Sequence, residues 1–200
     1  MTTPPAGNKL KHESKNPIQV ALIDNFKRQA ATFLRIVGPK TVLDLGCGEG
    51  FMLDAMLRAG IDAEFTGIDL SETALHEARL RLGDRATLEH ADARQLVSDG
   101  RTFDMVMMLE VLEHIPDPAQ MFPILKKLAR NHVLLSVPHE PFFRGLNFLR
   151  GQHFTRFGNH PEHINLWGRR SFFEFIEPHF EVLASPIVFP WTMVLARPRR

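Results

Sequence analysis

The sequence contains a single cysteine, Cys47, among its 200 residues, so it cannot close an internal disulfide bond. It also lacks a hydrophobic run that could cross a bilayer, because Pro186 and Pro190 interrupt the longest apolar stretch, residues 182–196. The first fifteen residues contain no hydrophobic segment of the kind found in export signals. These absences exclude a disulfide scaffold and predict a cytoplasmic protein without a membrane span.

A strong excess of charge of one sign is missing as well. Residues 1–100 contain 12 basic and 14 acidic side chains, and residues 101–200 contain 12 and 9, for a net charge of +1. Proteins that bind duplexes concentrate basic residues on one face, so we expect no DNA partner and do not favour RNA. The length and the 44% hydrophobic content suit one globular domain. We predict a flexible tail over residues 1–16 and a single domain over residues 17–200.

Two hydrophobic periodicities alternate along that domain. A spacing of three to four residues over 18–37 predicts an amphipathic helix that ends at Gly38. Short apolar runs predict strands at 41–45, 64–68, 86–89, 103–109 and 132–137. Helical patterns near 51–59, 72–82 and 118–129 separate them, with Gly60 and Gly83 at helix ends. This alternation predicts a parallel α/β sheet, in which ligands bind beyond the carboxyl ends of the strands.

The segment VLDLGCGEG, residues 42–50, contains the most informative pattern. Gly46, Gly48 and Gly50 let the chain turn tightly and approach a ligand at the start of a helix, since no Cβ stands in the way. Phe51 breaks the G-x-G-x-x-G spacing of dinucleotide sites. We expect Cys47, inside this loop, to pack as a small residue rather than act as a nucleophile.

Two acidic residues follow the next two predicted strands. Asp69 ends the second strand, where a carboxylate can accept both hydroxyl groups of a ribose, although alone it could simply neighbour a helix N-cap. Asp92 follows the third strand and can accept a hydrogen bond from the exocyclic amine of adenine, or else cap the next turn. A nucleoside ligand would account for both acids together.

With these acids, the chain resembles the class I S-adenosylmethionine-dependent methyltransferases over residues 38–138. The resemblance implies a Rossmann-like, seven-stranded, mostly parallel sheet with helices on both faces and an antiparallel C-terminal strand pair, which residues 180–184 and 192–196 suit. It also implies S-adenosyl-L-methionine as the cofactor. The implied binding residues are Asp44, Gly46, Cys47, Gly48, Gly50, Asp69, Leu70, Asp92, Ala93, Leu109 and Glu110.

The segment after the fourth strand contains E-x-x-E-H and resembles the branch that includes the ubiquinone-biosynthesis O-methyltransferases. Any helical turn would gather Glu110, Glu113 and His114 on one side. They could hold the loop and orient the cofactor, or His114 and Glu113 could be catalytic, with His114 as general base. A resemblance to the small-RNA terminal 2′-O-methyltransferases implies a third interpretation, a divalent metal bound with His160 or His163. We predict no metal.

Residues 139–170 form a long connection that contains five Phe, Trp167, five Arg and four His against two acids. Such a connection is typical of a substrate lid, whose aromatics exclude water and whose arginines pair with an anion. The arginines are Arg144, Arg150, Arg156, Arg169 and Arg170.

We predict methyl transfer to oxygen or nitrogen of a small anionic metabolite. Alternatives are a satellite hydrophobic cluster with solvated arginines, a membrane-touching turn at 141–151, and a non-catalytic, cofactor-binding partner subunit. Residues 159–167 have no assigned chemistry.

Overall fold

A computed structural model describes residues 16–139 and 164–199. Within them the strands form one eight-stranded sheet in the order β3-β2-β1-β4-β5-β8-β6, with β7 paired to β8. The strands are β1 (Thr41–Leu45), β2 (Glu64–Asp69), β3 (Thr87–His90), β4 (Phe103–Leu109), β5 (Ala129–Pro138), β6 (Phe180–Ala184), β7 (Ile187–Val188) and β8 (Trp191–Pro198). The tail at residues 1–15, and with it most of the predicted 1–16 segment, lies outside the described chain.

The strand directions confirm the predicted fold class. Strands β1 to β5 pair in parallel, whereas β8 runs antiparallel to both β5 and β6. The predicted C-terminal pair at 180–184 and 192–196 is therefore present. The predicted count of seven strands was wrong by one, because the two-residue β7 turns back onto Trp191 and Thr192.

Helices cover both faces of the sheet, as predicted. They are α1 (Pro17–Val37), α2 (Phe51–Arg58), α3 (Glu72–Leu82), α4 (Ala93–Ser98), α5 (Met121–Leu128) and α6 (Arg169–Ile176). Buried side chains of α1, α2 and α3 share one core cluster, and those of α4, α5 and α6 share the other. Alternate side chains of β1 and β4 enter different clusters, so both faces of the sheet are buried. None of the described helices is long and apolar enough to cross a membrane.

The helix ends follow local chemistry. The side-chain oxygen of Asn16 accepts a hydrogen bond from the N–H of Ile18 and caps α1, so this residue belongs to the helix rather than to a tail. At the other end, Gly38 adopts a left-handed φ of 56°.

Two parts of the predicted element order need correction. The helix predicted over 118–129 is a short 3₁₀ turn, Pro118–Gln120, followed by α5, and Ala129 already begins β5. The helices α4 and α6 were not predicted, since α4 is six residues long and too short to show a periodicity. Residues 169 and 170, assigned to a lid, begin α6. Residue 139 and residues 164–168 of the predicted lid are described as well. The remainder, residues 140–163 with Arg144, Arg150, Arg156 and the proposed membrane turn, lies outside the described chain.

Candidate active site

The loop between β1 and α2 adopts backbone conformations that favour glycine. Gly46, Gly48 and Gly50 have φ values of 78°, 53° and 75°. A Cβ added to Gly46 would lie 2.7 Å from a methyl group of Val111, the second residue after β4. The glycine loop therefore packs directly against the start of the E-x-x-E-H segment, and the two predicted site segments meet.

Hydrogen bonds tie this loop to its neighbours. The N–H groups of Gly46 and Cys47 donate to the carbonyl of Ile68 at 2.9 and 3.0 Å. From α3, Arg81 donates to the carbonyl oxygen of Glu49. The loop is thus fixed by β2 on one side and by α3 on the other.

Asp69, at the end of β2, is held by backbone donors. One carboxylate oxygen accepts the N–H of Gly48 at 2.8 Å, and the other accepts the N–H of Ser71 at 2.8 Å. Each carboxylate oxygen has a second acceptor site, so two hydroxyl groups of a ribose can still bind. The geometry suits the predicted role, which stays a prediction.

Asp44 is a buried acid beneath the same loop. Its exposed fraction is 3%, and burial, with a further contribution from the charge of Asp69, raises its pKa to about 7. Two acids in one partly dehydrated site repel each other, so the site suits a cationic ligand. Burial is the main cause that raises the pKa of the Cys47 thiol, and the negative charges of Asp44 and Asp69 raise it further. A protonated, buried thiol agrees with the packing role expected for Cys47.

The segment after β3 shows the capping geometry that was the alternative for Asp92. One oxygen of Asp92 accepts the N–H of Arg94 at 2.8 Å and caps α4, and the other lies 3.3 Å from the Arg94 guanidinium. Ala93 is buried. By contrast, Leu70 is 70% exposed beside Asp69, and its carbonyl oxygen lies 3.0 Å from Nε2 of His90. An adenine ring would find apolar surface at Leu70, while its contact with Asp92 stays a prediction.

Glu110, directly after Leu109, has a φ of 60° and is the one non-glycine residue with positive φ among those the structure describes. Ser136 of β5 holds it there: the Ser136 hydroxyl donates to Oε1 of Glu110 at 3.0 Å, and the N–H of Glu110 donates to the Ser136 carbonyl at 3.2 Å. A left-handed non-glycine residue costs about 1–3 kcal/mol and persists where surrounding contacts impose it. Such strain concentrates at functional sites.

Glu113 and His114 do not face the same way, although their spacing predicts that they lie on one side of a helical turn. Residues Leu112–His114 form a 3₁₀ turn, whose geometry differs from that of an α-helix. The Glu113 side chain is 1% exposed, whereas His114 is exposed. Of the two residues predicted to be catalytic, only His114 is thus open to a ligand. Within residues 16–139 and 164–199, no cluster of three or more His, Cys, Asp or Glu is arranged for a metal ion, and His160 and His163 lie outside these ranges.

Two polar residues at the carboxyl end of β5 were not singled out from the sequence. Ser136 is a lone hydroxyl in the apolar strand HVLLSVP, and that isolation was the available signal. His139 follows β5, and its Nδ1 lies 3.0 Å from the buried Thr192 hydroxyl. Burial lowers the pKa of His139, and the nearby Arg169 contributes to the same shift.

The described end of the predicted lid makes hydrogen bonds and ion pairs within the fold. Arg169 donates to the Ser185 carbonyl at 2.6 Å, and Arg170 forms an ion pair with Glu174 at 2.8 Å. Trp167 is 9% exposed. These side chains have partners within the fold, which favours the alternative of a structural cluster for this end of the connection.

The comparisons with known proteins agree with this geometry. A family model described as "Methyltransferase domain" matches residues 42–132. A ubiquinone biosynthesis O-methyltransferase of Aromatoleum aromaticum is 40% identical over 119 residues, 58% of this chain and 47% of that protein. One from Pseudomonas paraeruginosa is 33% identical over 173 residues, 77% and 69% of the two chains. This chain spans about half the length of the first relatives that it matches.

Solved structures share the fold. A magnesium protoporphyrin IX methyltransferase from Synechocystis PCC 6803 with bound SAH superposes with a TM-score of 0.70 at 19% identity, covering 96% of this chain and 93% of that one. The methyltransferase domain of a bacterial CtHen1-C superposes with a TM-score of 0.66 at 23% identity, covering 90% and 100%. The architecture is thus one that known methyltransferases adopt.

Proposed function

This chain belongs to the class I S-adenosylmethionine-dependent methyltransferases, and we propose that it transfers a methyl group from that cofactor to an oxygen of a small metabolite. The observation that carries the proposal is the acidic site under the glycine loop, where the negative charge of Asp69 acts on the buried carboxyl group of Asp44. A cationic nucleoside fits this site, because its positive charge would stabilise the ionised form of Asp44.

The residues present suit such a cofactor, which when bound supplies an electrophilic sulfonium methyl group. Asp69, already oriented by the N–H groups of Gly48 and Ser71, would accept the ribose hydroxyls. Asp44 would balance positive charge, and the exposed Leu70 would cover one face of the adenine. The chain's main contribution is to align the reactants and exclude water.

At the acceptor side, we assign proton removal to His114. It is exposed just beyond β4, and an imidazole can accept a proton near neutral pH. Glu113 would act differently, because its buried side chain lies inside the turn and supports it. Glu110, fixed by Ser136, would orient the bound cofactor.

The relatives' name supports oxygen over nitrogen as the acceptor atom, since they are O-methyltransferases of ubiquinone biosynthesis. The finer proposal is an acceptor with an anionic group. It rests on the excess of basic residues over residues 139–170, of which Arg169, at the start of α6, already donates to the Ser185 carbonyl. An acceptor with an ammonium group should be a poor substrate.

The test uses methyl-labelled cofactor and three ring hydroxyl acceptors of matched size, one neutral, one with a carboxylate and one with an ammonium group. We expect transfer to favour the carboxylate compound and His114→Gln to lower kcat roughly 100-fold with unchanged cofactor affinity. His132→Gln, at the amino end of β5, is the matched control. Cofactor binding without transfer to any hydroxyl would contradict the proposal and support a partner subunit.

Chelation separates this proposal from the metal-dependent RNA alternative. We expect transfer to survive EDTA, because Glu113 faces the interior and His114 the surface. Loss of activity in EDTA, restored by manganese, would make Glu110, Glu113 and His114 metal ligands and favour RNA as the acceptor.

A further inference from the structure

Asn165 contacts the turn that carries Glu113 and His114, although about fifty residues separate them in the chain. The backbone N–H of Asn165 donates to the carbonyl of Glu113 at 3.1 Å, and the N–H of Ile164 donates to the same carbonyl at 2.9 Å. The Asn165 side-chain amide donates to the carbonyl of Ile115 at 2.6 Å. The same amide also lies 3.5 Å from the carbonyl of Leu112. Three donors from one short segment therefore meet three carbonyls at this turn.

The turn has few hydrogen bonds of its own. The N–H of His114 donates to Val111 at 3.0 Å, and that of Ile115 donates to Leu112 at 3.2 Å. Carbonyls at the end of a short 3₁₀ turn have no partner within the turn and need one from elsewhere. Residues 164 and 165 supply it, so the position of the turn depends on them.

The segment that holds the turn is itself anchored in the core. Trp167, two residues after Asn165, is 9% exposed, stacks on Phe175 with ring centroids 5.5 Å apart, and meets the ring of Phe172 at 5.7 Å. Its backbone forms a bridge with His139 at the end of β5. Asn165 is thus fixed relative to β5 and α6 and can hold the turn in one place.

We propose that Asn165 is a positioning residue that fixes His114 at the acceptor side of the site. It acts through the carbonyls of Glu113 and Ile115, and it does not touch the reacting atoms. This inference rests on the proposed function, because its kinetic consequence is defined for methyl transfer. It also gives a role to residues 164–167, the described part of the segment 159–167, to which sequence chemistry assigned none.

The kinetic test is a double-mutant cycle between Asn165→Ala and His114→Gln. Asn165→Ala alone should lower kcat about tenfold, as expected for loss of a hydrogen bond that orients a catalytic group, with unchanged cofactor Kd. In the His114→Gln background it should have no further effect, because the group that it positions is gone. Asn131→Ala, on the exposed amino end of β5, is the matched control and should change neither constant. Equal losses in both backgrounds would overturn the inference.

Hydrogen exchange tests the contact without any reaction. In Asn165→Ala, the amides of His114 and Ile115 should exchange faster than in the wild type and in Asn131→Ala, and unchanged exchange would overturn the inference. If Asn165→Ala fails to fold, Asn165→Asp replaces it, since it keeps the backbone donor but places an oxygen against the Ile115 carbonyl. Failure of the wild type to transfer a methyl group would contradict the proposed function alone, because the exchange result stands independently.

Discussion

The two halves of the sheet's carboxyl edge hold their polar side chains in different ways. Beside β1 and β2, Asp69 is bound by N–H groups of Gly48 and Ser71, within about twenty residues of chain. Beside β4 and β5, Glu110 is held in a strained conformation by Ser136, 26 residues later, and the turn after it by Asn165. The proposed cofactor half is built within one β1-α2-β2 unit, whereas the acceptor half also depends on Asn165, which lies 50 residues after its partner Ile115.

The largest expected effect concerns Asp44 and pH. Its folded pKa of about 7 exceeds the value near 4 of an unfolded chain, so between these values the folded protein binds more protons. The free energy of unfolding therefore falls as pH rises through that window. We expect Asp44→Asn to remove this slope and to be more stable than the wild type at pH 8 by roughly 2–4 kcal/mol without cofactor.

Urea unfolding at pH 5 and pH 8 measures this difference, with Asp62→Asn as the control because the Asp62 side chain is 97% exposed. Added S-adenosylmethionine should reverse the ranking, since it would stabilise only the protein that retains Asp44. If the free energy of unfolding of the wild type were the same at both pH values, the pKa of Asp44 would not be raised in the folded protein.

The next effect is on cofactor affinity. Asp69→Ala should weaken binding by about 1.5–3 kcal/mol, the range for a hydrogen bond to a charged group, which corresponds to roughly 10- to 150-fold in Kd. Calorimetry measures it, and Asp62→Ala, a surface acid paired with Lys40, serves as the control. Unchanged affinity would remove Asp69 from the ribose site.

This contrast also explains how much the sequence could predict. The glycine loop and Asp69 could be singled out as candidates because they lie within one β1-α2-β2 unit, in which residue spacing places them at the same edge of the sheet. Ser136 was missed because a lone hydroxyl in an apolar strand belongs to no motif, and Asn165 was missed because it acts on a turn 50 residues earlier in the chain. The spacing would place Glu113 and His114 on one side of any helical turn, yet Glu113 is buried and His114 is exposed, a difference that tertiary packing determines.

A smaller effect isolates the strain in the acceptor half. Glu110→Gly and Glu110→Ala both remove the carboxylate, but only glycine adopts a φ of 60° without cost. We expect the glycine variant to be more stable than the alanine variant by about 1 kcal/mol, measured by chemical unfolding. Both should lose activity equally if the carboxylate is what matters. Equal stability of the two variants would mean that the backbone at residue 110 is not strained.

The smallest effect concerns the two described arginines of the predicted lid. Arg169→Gln removes the bond to the Ser185 carbonyl and should cost about 1 kcal/mol of stability, because that bond connects α6 to the segment after β6. Arg170→Gln breaks an exposed pair with Glu174 and should cost about 0.3–0.5 kcal/mol. Since Arg170 is 92% exposed and already paired on its own helix, we expect its loss to leave the KM for a carboxylate acceptor unchanged. A rise in that KM with unchanged cofactor affinity would place Arg170 in the acceptor site and extend the acceptor half onto α6.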